Sequence, residues 1–96
     1  PAHGMRAPGE AAVHWCTDES LRTPDGVWVA ADGAVWIADT AADAIVRYEP
    51  ATRRWAGFTA PGVEGPFDIK PGPDESALWF TNKRGSSIGR INVSDS

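Results

Sequence analysis

The sequence predicts an all-β chain built from repeated four-stranded sheets, and three observations predict it. Ten glycines and eight prolines cut the 96 residues into short stretches, which suits strands and turns better than helices. Residues 77–92, ALWFTNKRGSSIGRIN, read as an apolar strand, a polar turn carrying Gly85, and a second strand. The same phrase stands earlier, at residues 34–48, as AVWIADTAADAIVRY. Trp79 answers Trp36, Thr81 answers Ala38, Asn82 answers Asp39, Ile88 answers Ile45 and Arg90 answers Arg47, each pair 43 residues apart. A period in the forties, led by an aromatic strand and without helical spacing, marks β-propeller blades.

Taken in order, residues 1–10 (PAHGMRAPGE) are small and polar. Residues 13–18, VHWCTD, read as a strand; laid on ALWFTN they put Trp15 on Trp79, Thr17 on Thr81 and Asp18 on Asn82, at an offset of 64. The same offset lays His3 on Phe67 and Met5 on Ile69, so residues 1–22 form a partial repeat whose back half is missing. A full repeat follows over residues 23–64, with strands expected at 27–30, 35–38, 45–48 and 54–59 and a hairpin turn at Asp32-Gly33. Residues 65–96 open with GPFDI, which matches TPDGV at an offset of 42. One extra residue near Pro73-Asp74-Glu75-Ser76 restores the longer period. This repeat has strands at 77–81 and 87–92 and lacks its last one.

The strands carry apolar residues on both faces, Leu78 and Phe80 on one and Trp79 on the other. That pattern belongs to a sheet stacked between two other sheets, and all five tryptophans read as packing between blades. The chain holds a little over two blades, whereas closed propellers have about four or more. Stranded residues such as Val35, Ile37, Leu78 and Phe80 would each forfeit about 1.5–3 kcal/mol in water. Either copies of the chain assemble head to tail into a homo-oligomeric ring, or the chain is part of a longer propeller.

Composition narrows the partners. A net charge of −4 argues against nucleic acid, and no apolar run is long enough to span a membrane as a helix. The basic doublets Arg53-Arg54 and Lys83-Arg84 read as solvated turn residues. Cys16 stands alone, so no disulfide within the chain is possible; with no signal peptide at the start, a cytoplasmic location is expected. Asn92-Val93-Ser94 matches a glycosylation sequon by chance. His14, Cys16 and Asp18 alternate along the first expected strand, and a packed strand face accounts for them better than a soft-metal site.

The phrases GPFDI, PDE-ALWFTN and SSIGRIN resemble the repeat of the streptogramin lyases (virginiamycin B lyases), over residues 23–93 and more faintly over 3–18. The resemblance implies a seven-bladed propeller that opens a cyclic depsipeptide by elimination across its ester, with Mg2+. It further implies a catalytic histidine in a PHGI-type motif and a metal-binding glutamate fifteen residues later. Ala2-His3-Gly4-Met5 resembles that motif, and Asp18 stands at the glutamate's distance. Pro1 occupies the place of a second metal-binding acid, and Asp25 and Phe67 take the histidine's place in the other repeats. Asp39 and Asn82 fill the glutamate slot of their own repeats, where each can bind a ligand or cap a turn.

Two functions compete on this reading. One is a magnesium-dependent carbon–oxygen lyase acting on a cyclic peptide, with His3 as base and Asp18 on the metal. The other is a non-catalytic binding or self-assembly module that lacks a complete active site.

Overall fold

The computed structural model describes residues 13–93. Seven strands form, and no α-helix is present among the described residues. The first sheet is an antiparallel meander of β1 (Pro24–Val29), β2 (Val35–Asp39), β3 (Ala44–Glu49) and β4 (Arg54–Phe58). The second holds β5 (Pro66–Pro71), β6 (Ala77–Asn82) and β7 (Ile88–Asn92), in that order. The strands expected from residue 27 onward are all present, and β5 is added to them. Its register with β6 is broken between Pro66 and Ile69, as that of β1 with β2 is broken between Pro24 and Gly26. The same irregularity therefore opens both sheets.

Turn chemistry explains where the strands end. Between β1 and β2, Gly33 adopts φ 89°, its amide donates to the Ala30 carbonyl at 2.9 Å, and Asp32 Oδ1 accepts from the Ala34 amide at 2.9 Å. Between β5 and β6, Asp74 Oδ1 accepts from the Ser76 amide at 3.0 Å and its hydroxyl at 2.7 Å. These bonds hold the Asp74 carboxyl below its usual range.

The two sheets stack face to face through one apolar cluster. Ala34, Trp36, Ala38 and Ile45 of the first sheet join Ile69, Leu78 and Phe80 of the second, and Trp28, Phe58 and Ile91 pack around them. Trp36 has no exposed surface; Phe58 stacks on it at 6.0 Å between ring centroids, and the Arg47 guanidinium lies 5.8 Å from its ring centre. At the front of the stack the backbones of β1 and β5 nearly touch. A Cβ on Gly26 would lie 2.6 Å from the Phe67 carbonyl oxygen and 2.9 Å from Asp68 Cα, so only glycine fits there.

Two expectations need correction. Residues 13–18 do not form a strand, and among the described strands none pairs with them. His14, Cys16 and Asp18 therefore share no strand face. The tryptophans are not uniformly packed between blades either. Trp36 is enclosed, Trp28 and Trp55 are half-buried, Trp79 is 41% exposed and Trp15 is 84% exposed. The difference follows from position: among the described residues no sheet covers the outer face of β6.

Candidate functional site

The two repeat-equivalent residues Asp39 and Asn82 are buried at the ends of β2 and β6. Asp39 accepts hydrogen bonds from the Arg22 amide at 3.0 Å and the Thr23 amide at 2.8 Å. Asn82 Oδ1 accepts from the Glu64 amide at 3.0 Å, and its Nδ2 donates to the Gly62 carbonyl at 2.7 Å and to Ser87 Oγ at 2.9 Å. Arg22 and Glu64 are equivalent in the repeat, each just ahead of the first strand of its sheet. One polar side chain per repeat thus ties the loop that leads into that repeat's first strand. Their contacts lie within the chain, in the manner of turn-capping side chains.

A second set of contacts joins the repeats. The Thr40 hydroxyl donates to the Pro66 carbonyl at 2.7 Å and also contacts the Asp25 carboxylate. Asp43, in a left-handed turn at φ 52°, accepts from the Gly65 amide at 2.8 Å and pairs with Arg84. The Gly65 amide, followed by the Arg84 guanidinium, holds the Asp43 carboxyl below its usual range. Sequence reasoning placed Arg84 in a solvated turn and missed this pair. Its partners lie in different repeats, and neither local pattern points to the other.

Asp18 is half-buried, and its Oδ2 accepts from the Ser20 amide at 3.1 Å and contacts the Ser20 hydroxyl. It caps its own turn. His3, Met5 and Pro1 lie outside the described residues. Among the described residues no group of three or more His, Cys, Asp or Glu side chains is placed to hold a metal ion. Magnesium needs several oxygen ligands in a near-octahedral shell. Asp18, the single carboxylate carried over from the resemblance, does not fit that need with the described residues alone.

Residues 14–17 lie along the outer face of the first sheet and enclose a cleft of about 580 Å³ with Tyr48, Arg53 and Trp55. Tyr48 and Trp55 pack at 4.2 Å between ring centroids. A hydrogen bond with the Cys16 side chain, aided by burial, raises the Tyr48 phenol above its ordinary pKa.

Two adjacent sheets, stacked face to face and opened by matching loops, define a segment of a β-propeller. No family model matches the chain, and no curated protein matches it in sequence. Among solved structures, its repeats are similar to those of the streptogramin (virginiamycin) B lyases. A streptogramin B lyase is 30% identical with a TM-score of 0.66, over 74% of this chain and 24% of that one. Virginiamycin B lyase from Staphylococcus aureus, selenomethionine-substituted, is 24% identical with a TM-score of 0.69, over 82% and 26%. A catalytically inactive histidine-to-alanine variant of the S. aureus enzyme, solved with quinupristin, is 29% identical with a TM-score of 0.65, over 76% and 25%. The chain spans about a quarter of the length of these proteins.

Proposed function

We propose that this chain serves a streptogramin-lyase-like propeller, which opens a cyclic depsipeptide by β-elimination once further blades complete the ring. The observation that carries this reading is the 30% identity to a streptogramin B lyase over three-quarters of the chain, at a TM-score of 0.66. In the reaction a base takes the proton next to an ester or amide carbonyl. The electrons of that C–H bond form a carbon–carbon double bond, and the neighbouring carbon–oxygen bond breaks to release a carboxylate. His3 is the proposed base, since an imidazole titrates near neutrality. Asp18 is the metal ligand that the resemblance implies, although its carboxylate caps its own turn through the Ser20 amide. Asp39 and Asn82 would serve a ligand by fixing the loops at one end of the stack.

The test is incubation of the folded protein with quinupristin and magnesium, followed by chromatography and mass spectrometry. Elimination yields a linear product of unchanged mass, whereas hydrolysis adds one water. His3→Ala should lower the rate by about 10²–10⁴-fold. Turnover that survives both this substitution and EDTA would remove His3 and the metal from the account.

A second reading is favoured by one observation: Asp39 and Asn82 both direct their polar atoms to their own loops. Blades of that kind are scaffold, and the chain would then be a non-catalytic binding or assembly module. Absence of any product from well-folded protein in a completed ring supports this reading over the lyase.

A further inference from the structure

At its front, β1 carries one residue more than the strand it pairs with. Pro24 pairs with Asp39 and Gly26 with Ala38, so Asp25 is left out of the ladder in a bulge. Bulges re-aim the side chain they release. The released carboxylate meets the Thr40 hydroxyl, just past the end of β2. Thr40 in turn donates at 2.7 Å to the carbonyl of Pro66, the first residue of β5 in the next blade. Three oxygens from two blades thus converge. Thr40 and Pro66 are buried, and Asp25 lies open to solvent.

Hydrogens are too few for this arrangement. A hydroxyl brings one, while a carboxylate and a carbonyl bring none. When Thr40 serves Pro66, its oxygen faces the Asp25 carboxylate lone pair to lone pair; when it serves Asp25, the Pro66 carbonyl is left facing it in the same way. Among the described residues no Lys or Arg pairs with Asp25 to offset its charge. In the second repeat the same two positions hold a positive charge. There Lys83 takes the place of Thr40 and Phe67 that of Asp25, and the Lys83 ammonium lies 5.0 Å from the Phe67 ring centre.

We propose that the Asp25 carboxylate, the Thr40 hydroxyl and the Pro66 carbonyl bind a calcium ion at the seam between the two blades. An ion in contact with all three oxygens removes the lone-pair conflict and offsets the carboxylate charge. The donors are all oxygen, which selects a hard cation. They come from a bulge, a loop side chain and a backbone carbonyl, which is an irregular set. Calcium accepts irregular shells of about six to eight oxygens, whereas magnesium demands a near-ideal octahedron. Water on the open side of Asp25 completes the shell. With one charged ligand the site is weak, with an expected Kd of about 10⁻⁴–10⁻³ M. Both blades of the seam belong to this chain, and the inference depends neither on lyase activity nor on Asp18.

Calcium titration of the chain tests it. Calorimetry should show about one ion bound per chain, and the unfolding temperature should rise with calcium at ionic strength held constant with sodium chloride. Asp25→Asn removes the charge from an exposed side chain of the same shape and should lose both responses. Thr40→Ser keeps the hydroxyl and should keep them. Circular dichroism checks each fold, and Asp25→Ser takes over if Asp25→Asn unfolds. No binding by the folded, unsubstituted chain up to about 10 mM calcium, well above the expected Kd, would overturn the proposal. So would binding that survives loss of the Asp25 carboxylate, or an equal response to magnesium.

Discussion

Asp39 has no exposed surface, yet both its oxygens are used, one by the Arg22 amide and one by the Thr23 amide. Asp39→Ala would leave two backbone donors without their acceptor and should cost about 1–3 kcal/mol. A lower denaturant midpoint with an unchanged slope would show it. Asp43 acts across the repeats instead. Its carboxyl is held below the usual range by the Gly65 amide and Arg84, so the folded state favours the ionised form more than the unfolded chain does. The stability this adds is present above the unfolded carboxylate value of about 3.9 and is lost as pH falls through the lower folded value. Asp43→Asn should therefore flatten the acid limb of the stability–pH profile, read by urea titration at several pH values below neutrality. Of these two roles, the first was legible, because a buried Asp or Asn at a strand end is a turn-capping pattern. The second was not, since Asp43 and Arg84 stand 41 positions apart in different repeats.

At the scale of the elements, glycines separate close approach from open strand. Gly26→Ala would drive a Cβ into the backbone of Phe67 and Asp68 on β5, where no side chain can move aside. A loss of about 1–3 kcal/mol is expected. Gly57 on β4 has nothing within 4 Å of the corresponding Cβ position, so Gly57→Ala should be neutral or stabilising by up to about 1 kcal/mol. Thermal unfolding of both variants in one buffer checks the contrast. Strand positions were readable because short apolar stretches and turn residues agree in β2, β3, β6 and β7. VHWCTD carries the same pattern and forms no strand. Apolar residues give a chain the side chains of a strand, whereas a strand also needs a neighbouring strand for its backbone, and no described strand pairs with residues 13–18.

For the whole molecule, what was legible was the repeat, and what was not was which copy of each residue ends up covered. Trp36 and Trp79 hold the same place in their repeats, and the stack encloses the first and leaves the second at an outer face. Trp36→Ala should cost about 3–5 kcal/mol, as for a large aromatic in a packed core. In dilute protein Trp79→Ala should cost about 1 kcal/mol, near the worth of its exposed contact with Arg90. The Trp36 indole N–H has no acceptor among the described residues, so Trp36→Phe trims volume and removes an unpaired donor together.

The two sheets are consecutive blades joined through one shared core. A double-mutant cycle across their boundary tests it most directly, with Trp36→Phe in the first sheet and Leu78→Ala in the second. Both residues are fully buried in the same cluster. One cooperative unfolding transition and a coupling of about 0.5–3 kcal/mol between the substitutions are expected. Two separate transitions, or effects that add to within about 0.3–0.5 kcal/mol, would contradict it.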